Sequence, residues 1–278
     1  MYAKPFFTVV LSEIILSLQN SRVKELVKLR ESPRRRRELG LFPIEGLREI
    51  EVGINAERNF TEVYFCPSFF RKRGEDILLH RFNETEAELF ELGKDAFAKS
   101  SYRENPDGVI ALAQTFDLQP SRLSLGASPL VLVLDEVEKP GNLGAVLRSA
   151  EAFGVDAVLL SDAAVDFFNP NVIRSSQGLS LRMPVAVGSK TESLDFLRAH
   201  NLRICGSGSK NAVPFWEGDF TNGVALLLGS EREGLGSFWI ENQDESLVIP
   251  MSGSAGSLNL SVSAACFLSE AARQRFSQ

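Results

Sequence analysis

Three short segments of this 278-residue chain place glycines and polar side chains at the end of an apolar run. The first is Asp135-Glu-Val-Glu-Lys-Pro-Gly-Asn-Leu-Gly-Ala-Val-Leu-Arg148. Leu143, Val146, Leu147, Ala150 and Phe153 recur at helical spacing and form one apolar stripe. Asn142 sits near the stripe's edge in the first turn, and Arg148 on the opposite side. Gly141 and Gly144 could let a ligand approach the backbone, but the pattern is not GxGxxG. By helix geometry alone Asn142 also reads as a cap and Arg148 as a solvated arginine. The second segment is Leu228-Gly-Ser-Glu-Arg-Glu-Gly-Leu-Gly236. Gly229 can open main-chain groups to a ligand, with Glu231 at the rim. The same residues also read as a polar loop turned by Gly234 and Gly236. The third runs from Ile249 through Pro250 and a small-residue loop to Leu268. Ser257 and Asn259 lie at the amino end of its helix, as caps or as site residues.

Other chemistry-bearing residues are less well placed. GSGSKN (206–211) lacks a Walker pattern and reads as a flexible loop after a strand. His80 and His200 have no evident partners. Cys66, Cys205 and Cys266 stand in apolar contexts and read as packed rather than reactive. Two histidines and three isolated cysteines disfavour an all-His/Cys zinc site, so no metal is expected. Asp162, Asp166, Asn169 and Asn171 read as a loop whose Asn-Pro caps the next helix. The window 22–37 is different. It holds eight basic residues against Glu25 and Glu31.

The elements that must position these groups follow from the apolar pattern. Helical spacing of Ile14, Ile15, Leu18, Val23, Leu26 and Val27 predicts a helix over 10–30, divided near Asn20-Ser21. Pro33 interrupts before Arg34. TEVYFCP (61–67) and DGVIALAQ (107–114) read as strands, and 84–99 as a surface helix. The stretch 119–129 is polar and aperiodic, which makes it a linker between a domain at 1–118 and one at 130–278. Beyond it, apolar runs at 129–137, 156–162, 202–208, 224–230 and 246–252 alternate with helical patterns at 142–153 and 191–200. Such runs are strands buried on both faces, hence an α/β fold with a mostly parallel sheet. Ligands in these sheets sit at the carboxyl ends of the strands. Residues 262–268 are apolar or small nearly all round, so the last helix is expected to be buried on more than one side, by core or by a second copy.

A 44% hydrophobic, 24% charged composition excludes disordered and low-complexity classes. No run of 18 apolar residues and no signal-peptide pattern occur, so no membrane span and a reducing, cytoplasmic location are expected. Net charge is −6. Residues 1–125 are neutral overall, with 19 basic and 19 acidic side chains, and 126–278 carry the whole excess. A nucleic-acid contact would therefore be confined to a patch.

Together, PGNLGAVLRSAEAFG (140–154), LLLGSEREGLG (226–236) and IPMSGSAGSLNLSVSAACFLSEAARQR (249–275) resemble the SpoU (TrmH-type) branch of the SPOUT RNA methyltransferases. NSRVKELVKLRESPRRRRELGLFPIEGLREI (20–50) and PDGVIALAQ (106–114) resemble the accessory substrate-binding domain of that family, which is similar to a ribosomal RNA-binding protein. The resemblance implies a C-terminal α/β trefoil knot beside a small N-terminal α/β RNA-binding domain. It implies S-adenosyl-L-methionine held largely by main-chain groups of Gly229, Ile249 and Leu258, with the loop after Cys205 adding to the adenosine pocket. It implies a homodimer acting on structured RNA, ribosomal rather than transfer RNA, by methyl transfer to a ribose 2′-hydroxyl. Arg148 would be central, with Asn142, Glu231, Ser257 and Asn259 shaping the site. Lys24, Arg30, Arg34, Arg35, Arg36 and Arg37 would face the RNA backbone, where contacts position rather than specify. A non-catalytic RNA-binding or ribosome-assembly factor on the same fold is the competing reading. A dinucleotide enzyme is disfavoured by the missing GxGxxG.

Overall fold

A computed structural model describes residues 12–70, 74–82, 85–208 and 212–276. The chain forms two compact units, 1–116 together with 168–182, and 117–167 together with 183–278.

In the first unit, chain order is β1 (Glu13–Ile15), α1 (Ser21–Glu31), α2 (Pro33–Leu39), β2 (Leu41–Glu45), α3 (Leu47–Asn55), β3 (Phe60–Phe65), α4 (Gly74–Phe82), β4 (Glu88–Leu92), α5 (Lys94–Ser100) and β5 (Val109–Gln114). The five strands form one mixed sheet in the order β1-β4-β3-β5-β2. The expected helix over 10–30 begins only at Ser21, because the Asn20 side chain accepts from Arg22 N–H and fixes the helix start there. Ile14 and Ile15 belong instead to β1, paired with β4. Residues 84–99 are likewise not one helix. Leu89, Phe90 and Leu92 lie in β4, where pairing with β3 and β1 overrides the helix-like spacing, and Gly93 separates them from α5.

The second unit begins with β6 (Leu130–Asp135), α6 (Pro140–Ala152) and β7 (Ala157–Ser161). Next comes α7 (Pro170–Ser175), which belongs to the first unit and is capped by Asn169, as the Asn-Pro pair predicts. The second unit resumes with β8 (Val185–Gly188), α8 (Lys190–Ala199), β9 (Arg203–Ser207), β10 (Val213–Pro214), β11 (Val224–Leu228), α9 (Ser237–Asn242), β12 (Glu245–Val248) and α10 (Leu260–Phe276). Its seven strands run in the order β10-β12-β9-β11-β6-β7-β8, and every pairing is parallel. Every residue of β6, β7 and β11 is buried. On one face Val131, Val133, Leu159, Ile204 and Leu227 pack with Phe196, Leu197 and Trp239. Burial of the alternate residues as well requires cover on both faces, which is why these strands read as unbroken apolar runs.

Candidate active site

The parallel register brings the three segments to one edge of the second unit's sheet. β6 and β11 are neighbours, with Leu134 opposite Leu228. On the other side of β11, β9 places Gly206 opposite Leu227, and β12 places Leu247 opposite Ser207. The carboxyl ends of β6, β11, β9 and β12 therefore lie side by side, and each feeds one of the glycine-bearing turns.

At this edge the three segments are tied by a chain of hydrogen bonds. Asn259 Nδ2 donates to Asn142 Oδ1 at 3.1 Å, and Asn142 Nδ2 donates to Glu231 Oε1 at 2.8 Å. The main-chain N–H of Glu138 donates to Glu231 Oε2 at 3.3 Å. Asn259 Oδ1 in turn accepts from the N–H and hydroxyl of Ser261, so it also caps α10. Asn142 caps nothing. Helix α6 begins at Pro140 with Lys139 as its cap residue, which leaves the Asn142 amide free to bridge. Burial by itself would raise the Glu231 carboxyl. The bonds from Asn142 and from main-chain amides including those of Glu138 and Lys139 outweigh it and hold the group below the usual carboxylate range. Glu231 is thus a fixed anion that orients Asn142, which orients Asn259.

Arg148 lies two turns along α6. It is exposed while Leu143, Val146, Leu147 and Ala150 are buried. Its guanidinium makes no hydrogen bond or ion pair among the described residues. Ser257 is exposed in the loop before α10 and forms no hydrogen bond with a described residue. The structure brings Asn142, Glu231 and Asn259 into contact and leaves Arg148 and Ser257 outside that chain. The donation from Glu138 is not legible in the sequence, because a main-chain N–H carries no residue-type signal. Its only trace is a position in the short turn between β6 and Pro140.

Gly229 and Ile249 are half-buried at the ends of β11 and β12, and Leu258 is exposed just before α10. A Cβ at Gly229 would run into the backbone of Gly234 and Leu235, so only glycine permits this tight return of the loop. From Pro250 to Leu258 no residue makes a hydrogen bond among the described residues. That edge therefore offers free main-chain donors and acceptors beside apolar side chains, a donor set that fits the adenosine of S-adenosyl-L-methionine. Of the loop after Cys205, residues 206–208 lie between the ends of β11 and β12, and 209–211 fall outside the described residues.

In the first unit the basic run divides. Arg36 is 1% exposed and its Nη1 donates to the carbonyls of Leu29 and Arg30 at 2.5 and 3.2 Å. It satisfies the carboxyl end of α1 and does not face outward, contrary to the expectation from the run of arginines. Helical periodicity is the reason: within α2, one of four consecutive side chains points inward. Arg30 donates to the carbonyls of Lys99 and Ser101, and Arg35 pairs with Glu25 at 2.6 Å and with Glu38. Lys24 and Arg37 are exposed, and Arg34 is 84% exposed although bonded to Glu38.

Comparison with known proteins places the chain. Residues 129–269 match the model of the SpoU rRNA Methylase family, and residues 20–111 match an MRM3-like substrate binding domain. The 23S rRNA (guanosine(2553)-2′-O)-methyltransferase RlmP of Bacillus subtilis is 30% identical over 251 residues, 90% of this chain and 96% of the relative. Among solved structures, an RNA 2′-O ribose methyltransferase superposes with a TM-score of 0.83 at 37% identity, covering 95% of this chain and 99% of the other. The SpoU methyltransferase AviRb from Streptomyces viridochromogenes, in complex with AdoMet, superposes with a TM-score of 0.85 at 25% identity, covering 93% and 99%. A parallel α/β unit with this site and an accessory unit defines an S-adenosyl-L-methionine-dependent RNA methyltransferase. The chain belongs to the SpoU rRNA methylase family, and its second unit has that family's trefoil-knot architecture. Among the described residues no group of three His, Cys, Asp or Glu could hold a metal, and no helix is long and apolar enough to cross a membrane.

Proposed function

We propose that this protein transfers a methyl group from S-adenosyl-L-methionine to a ribose 2′-hydroxyl of large-subunit ribosomal RNA, acting as a homodimer. The observation that carries the reading is the hydrogen-bond chain from Asn259 through Asn142 to Glu231, which joins the three motifs at one sheet edge. The ribosomal substrate is supported by relatives such as RlmP and the 23S rRNA (uridine(2479)-2′-O)-methyltransferase of Streptomyces viridochromogenes, 29% identical over 94% of this chain.

When bound, S-adenosyl-L-methionine supplies an electrophilic methyl group. Gly229, Ile249 and Leu258 hold it through main-chain groups at the ends of β11 and β12 and before α10. Asn142 and Asn259, fixed by Glu231, orient the ribose so that its hydroxyl is aligned for attack. Arg148 has no internal partner among the described residues, so its guanidinium is available to an RNA phosphate and to charge developing at the attacking oxygen. An arginine stays protonated, which makes charge stabilisation its role and leaves the departing proton to a phosphate oxygen or water. Ser257 lines the approach. Lys24, Arg34 and Arg37 contact the RNA backbone. Helix α10 supports the dimer reading. It is packed on one side by Leu260, Ala264, Phe267, Leu268 and Ala271, yet leaves Val262 48% exposed.

The test offers labelled S-adenosyl-L-methionine with transcribed large-subunit ribosomal RNA or transfer RNA. A 2′-O-methylated nucleoside from the ribosomal pool is expected, and its loss in Arg148→Ala with cofactor binding intact. Label on a base, or in the transfer RNA pool alone, would refute the assignment of group or substrate. Near-wild-type turnover by Arg148→Ala would remove that residue from the mechanism.

A further inference from the structure

We propose that the first unit carries a nucleotide-stacking site on Tyr102, which holds an unpaired base of the RNA substrate; this rests on the methyltransferase reading above. Glu49, Tyr102, Arg103, Asn105, Arg174 and Gln177 line one open polar cleft. Tyr102 is 41% exposed, and its hydroxyl makes no hydrogen bond among the described residues. The guanidinium of Arg174 stands over its ring, with Cζ 5.7 Å from the centroid. That guanidinium makes no hydrogen bond or ion pair among the described residues.

The ring is presented by a braced loop. Tyr102 N–H donates to Glu45 Oε2 at 2.6 Å, and the Ser101 hydroxyl donates to Glu45 Oε1 at 2.5 Å. Arg103 donates to the Glu45 carbonyl and pairs with Glu49 at 2.7 Å and with Asp107 at 3.3 Å. Arg103 is thereby neutralised, and of the two arginines lining the cleft Arg174 is the one with no ion pair among the described residues. In the same cleft, Gln177 adopts a left-handed backbone (φ 56°) and is followed by Gly178 (φ 82°). A Cβ at Gly178 would press into the backbone of Glu49. A non-glycine residue held in that region is costly and is placed there by its surroundings.

A partly exposed aromatic ring, an arginine loosely over it with no hydrogen bond or ion pair among the described residues, and two amides with no side-chain bond among them are parts that recognise a splayed-out nucleotide. The base stacks on Tyr102, a phosphate meets Arg174, and Gln177 and Asn105 meet the polar edge of the base. Duplex RNA offers no free base face and gains nothing here. The exposed acid Glu104 confines the phosphate to the Arg174 side.

The experiment compares full-length wild type, Tyr102→Ala, Tyr102→Phe and Arg174→Ala for binding a mixed-sequence single-stranded RNA of about 12 nucleotides and a duplex of equal length, by fluorescence anisotropy. Tyr102→Ala should weaken the single strand about tenfold and leave the duplex unchanged, while Tyr102→Phe retains wild-type affinity because the ring suffices. Arg174→Ala should reduce the salt dependence of single-strand binding. Far-UV circular dichroism, thermal melts and wild-type affinity for the duplex report an intact first unit in each variant. Equal single-strand affinity for wild type and Tyr102→Ala overturns the stacking site. Methyl transfer by wild type, measured on the same preparations, separately decides the function on which it rests.

Discussion

The bond between Asn142 and Glu231 supplies the sharpest prediction. At 2.8 Å it joins an amide donor to a carboxylate held below its usual range, so it is charge-assisted. Bonds to a charged group contribute about 1.5–3 kcal/mol. Both side chains are half-buried, and solvent competition places this one near the lower bound, about 1.5 kcal/mol. Glu231→Gln keeps the shape and removes the charge. Its new NH2 group would then face Asn142 Nδ2 or the N–H of Glu138, donor against donor. Asn142→Ala removes the same bond from the other side and takes the acceptor from Asn259 Nδ2, while the cap of Asn259 on Ser261 remains. If the bond acts only by orienting the ribose, each variant should slow single-turnover methyl transfer roughly tenfold. The double variant should be no slower than the slower single, because the two act as one unit. Rapid-quench transfer with labelled cofactor measures this, with thermal melts as controls for folding. Multiplicative losses in the double variant would mean that the two residues act separately, and the orienting chain would be wrong. The pH dependence has a definite sign. Because the folded carboxyl is depressed, its contribution is complete at neutral pH and disappears only as pH falls through the folded value. Wild type and Glu231→Gln should therefore converge in stability only in acid.

Two further predictions follow from burial. Arg36→Ala strips a cationic donor from the buried carbonyl of Leu29 and the half-buried one of Arg30 and should cost about 2 kcal/mol or more, whereas Arg37→Ala, at an exposed site, should stay within about 0.5 kcal/mol. Chemical denaturation separates them, and equal stability would contradict the inward placement of Arg36. Arg37→Ala should instead lower the salt slope of RNA binding by about 1. Burial pushes the Cys205 thiol up to about 12, so it stays protonated at pH 8 and should resist iodoacetamide in the native protein. Rapid native-state labelling of Cys205, read by peptide mass spectrometry, would show the strand end to be open.

The second unit is more legible than the first because of how its strands are covered. A strand buried on both faces writes a continuous apolar run, and 130–134 or 224–228 can hardly be read otherwise. The four residues of β8 at 185–188 escape, being too short to stand out after Pro184. In the first unit, β4 and β1 read as helix because Leu89, Phe90, Ile14 and Ile15 satisfy helical spacing equally well. Only pairing with distant strands decides them. At the site, residue types locate Asn142, Glu231 and Asn259. Their mutual contact depends on strand order, which no local pattern encodes. The basic run shows the converse failure: composition counts eight charges, while geometry turns Arg36 inward and binds Arg30 and Arg35 to the protein itself.

The excursion at 168–182 bears on how the chain is made. Ile173 and Leu181 are buried in the same cluster as Phe42, Ile44 and Val109, and Arg58 donates to the carbonyl of Leu181 at 2.7 Å. The amino-terminal sheet therefore lacks part of its interior until the ribosome has passed residue 182. By then β6, α6 and β7 have already been synthesised. Vectorial folding of the first unit must wait for a segment encoded inside the second. A fragment cut near residue 118 would leave an apolar hollow open to water, and its recovery as aggregate would be a consequence of chain order rather than of poor intrinsic stability.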